Sequence, residues 1–297
     1  MAVPIDLNAY RLAIRLDEPP AEVGALDPSA YVSALDRVLA FLATETRRDV
    51  SALGQGEKLR AVRFLLTIRA PKAIPATIMN DLDQCLKTRD LHGSVADAQG
   101  LATIRDTYAG SQYPAADHCV IWRGDITQLS IGAIVNAANS QMLGCFDPSH
   151  LCIDNVIHWA AGPRVRQDCA TIMDLQDQLE STGNAKITRG YHLPADYILH
   201  TVGPIVRGAL SEDQRQDLAS AYRSCLDLAA QVEGLNSIAF CGISTGIFGF
   251  PKPAAARIAL STVAQWLADN PNKIDRVVFN VFSQEDAEIY SKALGEY

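Results

Sequence analysis

Ser237-Ile238-Ala239-Phe240-Cys241-Gly242-Ile243 is a run of apolar and small residues, and Ser244-Thr245-Gly246-Ile247-Phe248-Gly249-Phe250-Pro251 follows it at once. The first seven suit a strand buried on both faces. Pro251 suits the first turn of a helix, and a helical pattern runs on to about residue 268. Strand, glycine-bearing loop and helix together form the unit from which parallel sheets are built. The two glycines let backbone approach a ligand closely, and successive N–H groups there can cup phosphate oxygens. The loop has neither the Gly-Lys-Ser/Thr of a P-loop nor the Gly-x-Gly-x-x-Gly dinucleotide fingerprint. An ordinary tight turn is the alternative reading.

The same alternation extends in both directions. Strands are expected at 120–122, 133–138, 185–188, 197–202 and 276–281. Helices are expected at 163–181, closed by Gly183-Asn184, and at 214–231 and 284–294. The class is therefore α/β, a mostly parallel sheet covered by helices on both faces. Ligands on such sheets sit beyond the carboxyl ends of the strands. Loops at Gly124, Asn139 and Ser244 are placed for that work. Asp125 can accept a hydrogen bond from an exocyclic amine such as that of adenine, or serve as a turn or N-cap residue. Asn139 offers a donor and an acceptor to a sugar diol, or simply makes a turn.

Between two of these elements lies Gly144-Cys145-Phe146-Asp147-Pro148-Ser149-His150-Leu151-Cys152-Ile153-Asp154-Asn155-Val156-Ile157-His158. Two soft thiolates and an imidazole, at Cys145, His150 and Cys152, suit Zn²⁺, and three protein ligands with one open position is the catalytic arrangement. Free cysteines and a surface histidine are the alternative. Asp154 stands where a helix begins, able to activate a water, touch a ribose hydroxyl or cap the helix. His158, at i+4, shares its face and reads as a packed helix histidine. The other cysteines, Cys85, Cys119, Cys169, Cys225 and Cys241, lie in apolar patterns and read as core. His192 and His200 fall in strand patterns and read as structural.

The first hundred residues look different. Asp27-Pro28 starts a helix with apolar positions at 31, 35, 38, 39 and 42, and two further helices are expected before Pro71 and across 74–86. Residues 92–100 are small and polar and read as a connector. Arg47, Arg48, Arg60, Arg63 and Arg69 are expected on solvated helix faces. The division expected is a helical unit over 1–105 and a second domain over 106–297.

Composition narrows the function. Hydrophobic residues make up 48% of 297, enough for a full core. No run of ~18 apolar residues is present, so no membrane helix is expected. The start, Met-Ala-Val-Pro-Ile-Asp, lacks a basic region followed by an apolar one, so no secretory leader is expected. Seven cysteines without such a leader point to thiols in a reducing cytoplasm. A net charge of −8 disfavours general nucleic-acid binding but allows a small phosphate compound to be held by backbone N–H groups.

Five ordered blocks resemble the macrodomain family over roughly residues 117–297: Gly124-Asp125-Ile126-Thr127; Asn136-Ala137-Ala138-Asn139-Ser140; Ile153 to His158 with Ala160-Ala161-Gly162-Pro163; Thr182 to Thr188 with His200-Thr201-Val202-Gly203-Pro204; and Ile243 to Gly249. The resemblance implies a three-layer fold with a mixed, mostly parallel sheet between helices, after a small all-helical N-terminal domain. Hydrolase-type members usually carry a run of glycines before Ile153-Asp154. Here Cys145 to Cys152 stands instead, which resembles the zinc-containing subgroup, often linked to a sirtuin-type ADP-ribosyltransferase. The resemblance then implies one Zn²⁺ on Cys145, His150 and Cys152, adenine read by Asp125 beside Ile126, and the diphosphate cradled by Ser244, Thr245, Gly246, Ile247 and Phe248. It places Asn139 on the distal ribose and Asp154 as the catalytic carboxylate. The implied activity is a zinc-dependent glycosidase-type hydrolase that removes mono-ADP-ribose from proteins at C1'' of the distal ribose. A non-catalytic ADP-ribose reader and an O-acetyl-ADP-ribose deacetylase are the alternatives.

Overall fold

The computed structural model describes residues 4–19, 23–90 and 94–297. Helices are α1 (Leu7–Tyr10), α2 (Pro28–Thr46), α3 (Lys58–Ile68), α4 (Ala76–Asp90), α5 (Ile104–Thr107), α6 (Ile153–Ala161), α7 (Pro163–Gln176), α8 (Glu212–Ala229), α9 (Lys252–Asp269) and α10 (Gln284–Leu294). Strands are β1 (Ala96–Asp97), β2 (Cys119–Arg123), β3 (Leu129–Ser130), β4 (Ala133–Ala138), β5 (Ala185–Arg189), β6 (Tyr197–Val202), β7 (Ser237–Phe240) and β8 (Arg276–Val281).

The main sheet has the order β2-β8-β7-β4-β6-β5. Every neighbouring pair is parallel except β5 with β6. Helices α8, α9 and α10 pack side by side as one layer, and α6 and α7, joined by α1, form the other. This is the mixed, mostly parallel sheet between helices that the strand–helix alternation implies. Because β2, β8, β7, β4 and β6 run the same way, their carboxyl ends open onto one edge.

The apolar residues form two principal clusters. The larger runs through the sheet and its helices. The smaller, from Ala34 to Leu86, belongs to α2, α3 and α4 and takes in Trp159 of α6. Asp27 caps α2 as its sequence suggests, accepting from the Ser29 and Ala30 amides. Leu7, Tyr10, Ile14 and Leu16, although N-terminal, pack into the larger core, and the Tyr10 hydroxyl accepts the Ile187 N–H at 3.1 Å.

Three local expectations are corrected. Helix α7 stops at Gln176, because Asp177 takes the left-handed conformation at φ 52° and its N–H closes on the Met173 carbonyl. Arg69 is not solvated: it is 6% exposed, paired with Glu45 and donating to the carbonyls of Ala70, Lys72 and Ala73. His192 lies in a turn instead of a strand, with Nε2 3.1 Å from Asp83 of α4. Of the connector at 92–100, residues 92 and 93 lie outside the described residues, and Ala96-Asp97 pairs with β3.

Beyond α7 the chain turns Glu180 inward, onto Lys186 of β5, with 0% and 3% of the two side chains exposed. Glu180 also accepts from Gln176, Ser181 and Asn184, and its own N–H holds the Ser140 carbonyl at 2.8 Å. Glu180→Ala leaves a buried ammonium without a partner and is expected to destabilise the fold by about 3–5 kcal/mol in urea unfolding. A loss below about 1 kcal/mol would show that water reaches Lys186 and compensates the charge.

Candidate active site

The carboxyl ends of the parallel strands open into a cleft of about 940 Å³. Asp125 and Ile126 reach it after β2, Asn139 after β4, and Ser244, Thr245, Gly246, Ile247 and Phe248 after β7. Cys145, His150, Cys152 and Asp154 line it from the loop into α6. The residues expected to meet ADP-ribose or zinc therefore line one cleft, while His158, His192 and His200 do not.

The loop after β7 is a turn, and more than a turn. Ser244 sits at φ 62°, where a side chain is uncommon, with its carbonyl taken by the Phe250 N–H at 3.0 Å. Its Oγ is buried without a partner among the described residues. A Cβ on Gly203 would lie 2.1 Å from that oxygen, so the glycine at 203 is what allows the loop to come this close. Thr245 is spent on the turn, its N–H and hydroxyl both donating to the Gly242 carbonyl. The amides of Gly246, Ile247 and Phe248 have no protein partner among the described residues. A concave row of free N–H groups is an anion site in waiting.

Asp125 keeps both of its sequence readings. Oδ1 caps a short 3-10 turn, accepting from the Thr127 amide at 2.9 Å and hydroxyl at 2.7 Å. The residue is exposed at the cleft, which leaves Oδ2 for a ligand. Two residues that sequence reasoning missed support this end. Asn280 donates to the Gly124 carbonyl at 2.9 Å, and Phe282, 82% exposed, stands on the cleft wall directly after β8. Their signal was positional only: both sit at the carboxyl end of a strand next to β2.

Asp154 lies in the first turn of α6, where the N-cap, Cys152, provides no side-chain cap. It is 4% exposed. Asn136 of β4 donates to Oδ1 at 2.8 Å, Asn139 Nδ2 lies 3.5 Å from Oδ2, and His158 Nε2 is 3.4 Å away. Burial pushes the carboxyl up to about 6, against the Asn136 bond and the charge of Arg166, which hold it down. Asn136 was not expected here. It faces His200, its register partner on β6, at 3.1 Å from Nδ1. Burial holds both His158 and His200 well below the usual histidine range, so they are neutral.

Two thiols and an imidazole are donor types that suit a zinc ion, but the ligand atoms of Cys145, His150 and Cys152 do not all gather within 4.8 Å of one another. Cys145 Sγ lies 3.6 Å from His150 Nδ1, and burial first, with the neighbouring Cys145 thiol adding to it, pushes the Cys152 thiol up to about 11. A tetrahedral zinc with ordinary Zn–S and Zn–N bonds separates its sulfur and nitrogen ligands by about 3.6 Å. Asn155 braces the loop, donating to the carbonyls of Asp147 at 2.7 Å and His150 at 2.8 Å. The donor group whose ligand atoms do lie within 4.8 Å of one another among the described residues is a different one, His158, Cys169 and His200. It is buried in the core, and His200 Nε2 already meets the Thr188 hydroxyl at 2.9 Å. Of the two groups only the loop set lines the cleft, so only it can offer an open coordination position to a ligand there.

Comparison with known proteins agrees with this architecture. The Macro domain family matches residues 135–259. A protein-ADP-ribose hydrolase of Treponema medium is 43% identical over 240 residues, covering 81% of this chain and 88% of the relative. One from Staphylococcus aureus (strain MRSA252) is 54% identical over 212 residues, covering 71% and 77%. The crystal structure of the Trypanosoma brucei macrodomain in complex with ADP-ribose superposes with a TM-score of 0.56 at 29% identity, over 92% of this chain and 97% of that one. With this identity spread over most of the chain, and with the sheet, helical layers and cleft described above, the protein belongs to the macrodomain family, in the company of the protein-ADP-ribose hydrolases.

Proposed function

We propose that the chain is a zinc-dependent hydrolase that frees mono-ADP-ribose from modified protein side chains by cleavage at C1'' of the distal ribose. One observation carries the reading: a single cleft joins a row of unpaired backbone donors to a buried carboxylate with a thiol–imidazole set beside it. Asp125 accepts from the adenine amine, with the Ile126 backbone beside it. The amides of Gly246, Ile247 and Phe248 and the Ser244 hydroxyl hold the diphosphate, with Thr245 shaping the turn. Phe248 flanks the distal ribose and Asn139 binds its hydroxyls. These remote contacts hold C1'' in place and supply the binding energy for orientation.

Cys145, His150 and Cys152 would hold the zinc, which when bound supplies a Lewis acid at the ribose end of the cleft. Asp154 takes a proton from the water that attacks C1''. The bond from C1'' to the side-chain oxygen breaks, and the proton ends on that leaving oxygen. The products are free ADP-ribose and the restored side chain. Asn136 fixes the carboxylate, and its elevated pKa makes it a stronger base than an exposed aspartate. A sirtuin-type ADP-ribosyltransferase acting in the same cytoplasm would supply the modified protein.

The test is ADP-ribose release from a mono-ADP-ribosylated protein, followed alongside calorimetric binding of free ADP-ribose. Binding without release from any linkage would mark a reader. Faster turnover of O-acetyl-ADP-ribose than of modified protein would mark a small-ester hydrolase. Within this scheme Asp125→Ala removes uniform binding. It is expected to weaken ADP-ribose affinity about 10- to 100-fold, the worth of a hydrogen bond to a charged group. The rate at saturation should change by less than about threefold; an equal fall in that rate would move Asp125 out of the adenine site.

A further inference from the structure

Arg166 of α7 is 7% exposed and makes no ion pair among the described residues. Its guanidinium is met by carbonyls instead. Nη1 donates to Leu66 at 2.8 Å, Thr67 at 2.9 Å and Arg69 at 2.8 Å. Leu66 and Thr67 lie in the last turn of α3 and Arg69 is its C-cap, where carbonyls lack a full set of helical partners and carry the negative end of the dipole. Nη2 reaches the other way, to the Cys145 carbonyl at 3.4 Å, and the guanidinium carbon stands 4.5 Å from the centre of the Phe146 ring. One buried cation thus joins the end of an N-terminal helix to the loop that carries the thiols.

The joint is broad. Trp159 of α6 packs into the N-terminal cluster, with Arg63 of α3 over its ring at 5.7 Å. Asp83 of α4 pairs with Arg164 and His192. The helical unit is therefore fastened to α6 and α7, the helices that follow the thiol loop. Only Arg166 among these contacts touches the loop itself.

We propose that Arg166 is a positioning residue for the zinc loop, and that the N-terminal helices act on the reaction through it. The carbonyl end of α3 fixes the guanidinium. The guanidinium fixes the Cys145 backbone and the Phe146 ring, and so sets where the Cys145 sulfur stands relative to His150 and Cys152. Lysine keeps the charge but cannot bridge three carbonyls and a fourth in the opposite direction, nor lie flat over a ring. Groups that orient metal ligands typically contribute 10- to 100-fold to metal affinity.

The experiment uses full-length Arg166→Lys and, as a milder variant that keeps the arginine, Phe146→Leu. The proposal rests on the zinc reading above, so two readouts are taken. Competition for zinc against a chromogenic chelator is expected to show affinity lowered about 10- to 100-fold in Arg166→Lys and less in Phe146→Leu. ADP-ribose binding, measured by calorimetry, should stay within about twofold because the phosphate loop is untouched. Amide hydrogen exchange in the metal-free proteins is expected to quicken at residues 144–152 and not at 244–249. Unchanged zinc affinity together with unchanged exchange at 144–152 would overturn the proposal and leave Arg166 a plain fastener of α3. A wild-type protein that takes up no zinc would instead overturn the metal assignment, and the exchange data would then decide the role of Arg166 alone.

Discussion

Asp154→Asn is expected to lower the rate of ADP-ribose release by about 10²- to 10⁴-fold, the usual contribution of a positioned general base. The substitution is close to isosteric. The Asn136 amide, which donates to Oδ1 at 2.8 Å, can still donate to the new amide oxygen. Helix α6 loses no cap, because its N-cap is Cys152. What disappears is the capacity to take a proton, in a group that burial has pushed up to about 6. The adenine and phosphate ends of the cleft are built from other strands, so binding of free ADP-ribose should stay within about threefold. Single-turnover release and calorimetry on the same preparation measure both quantities. Near wild-type release by the Asp154→Asn variant would remove Asp154 from the chemistry, leaving the buried carboxylate as a structural partner of Asn136 and His158.

The two sides of this site differ in how far the sequence exposes them. The loops at Asp125, Asn139 and Ser244 are legible because each ends an apolar strand, and parallel strands bring such ends to one edge whatever their order. The pair Asp154 and His158 is legible from its helical spacing, and the structure places the two side chains 3.4 Å apart. Asn136 is not legible. It occupies the middle of an apolar strand, and its worth comes from lying opposite His200, a partner 64 residues away that only the β4–β6 register identifies. Arg166 is hidden in the same way, its carbonyl partners on the N-terminal side lying 97 to 100 residues distant. Arg69 shows the opposite failure: a charged residue at a helix end reads as solvated, but the turn that follows folds the Lys72 and Ala73 carbonyls back onto it and Glu45 of α2 pairs with it. The end of α7 at Asp177 was missed because Gly183 is the stronger chemical stop signal, whereas the left-handed turn at an aspartate is set by packing.

Removal of the metal is the sharper test of the thiol loop. Chelator-treated protein is expected to release ADP-ribose about 10²-fold more slowly than the zinc-loaded form, since a Lewis acid at the reacting oxygen is worth several kcal/mol. Added zinc should restore the rate. Cys152→Ala should reach the same low rate with zinc content near zero, and added zinc should not rescue it. The choice of Cys152 is deliberate. Its thiol is free and only partly buried, and as the N-cap of α6 it makes no side-chain capping bond, so alanine there removes a metal donor without fraying the helix. Asp154 stays buried by its own contacts with Asn136 and Asn139. The comparison of the two variants then separates two roles that stand side by side in the cleft. If Cys152→Ala is slow while Asp154→Asn is slow and still binds zinc, the carboxylate and the thiol loop each contribute to the same step. If the zinc-free protein keeps its full rate, Asp154 works without metal, and Cys145, His150 and Cys152 serve the loop's structure instead.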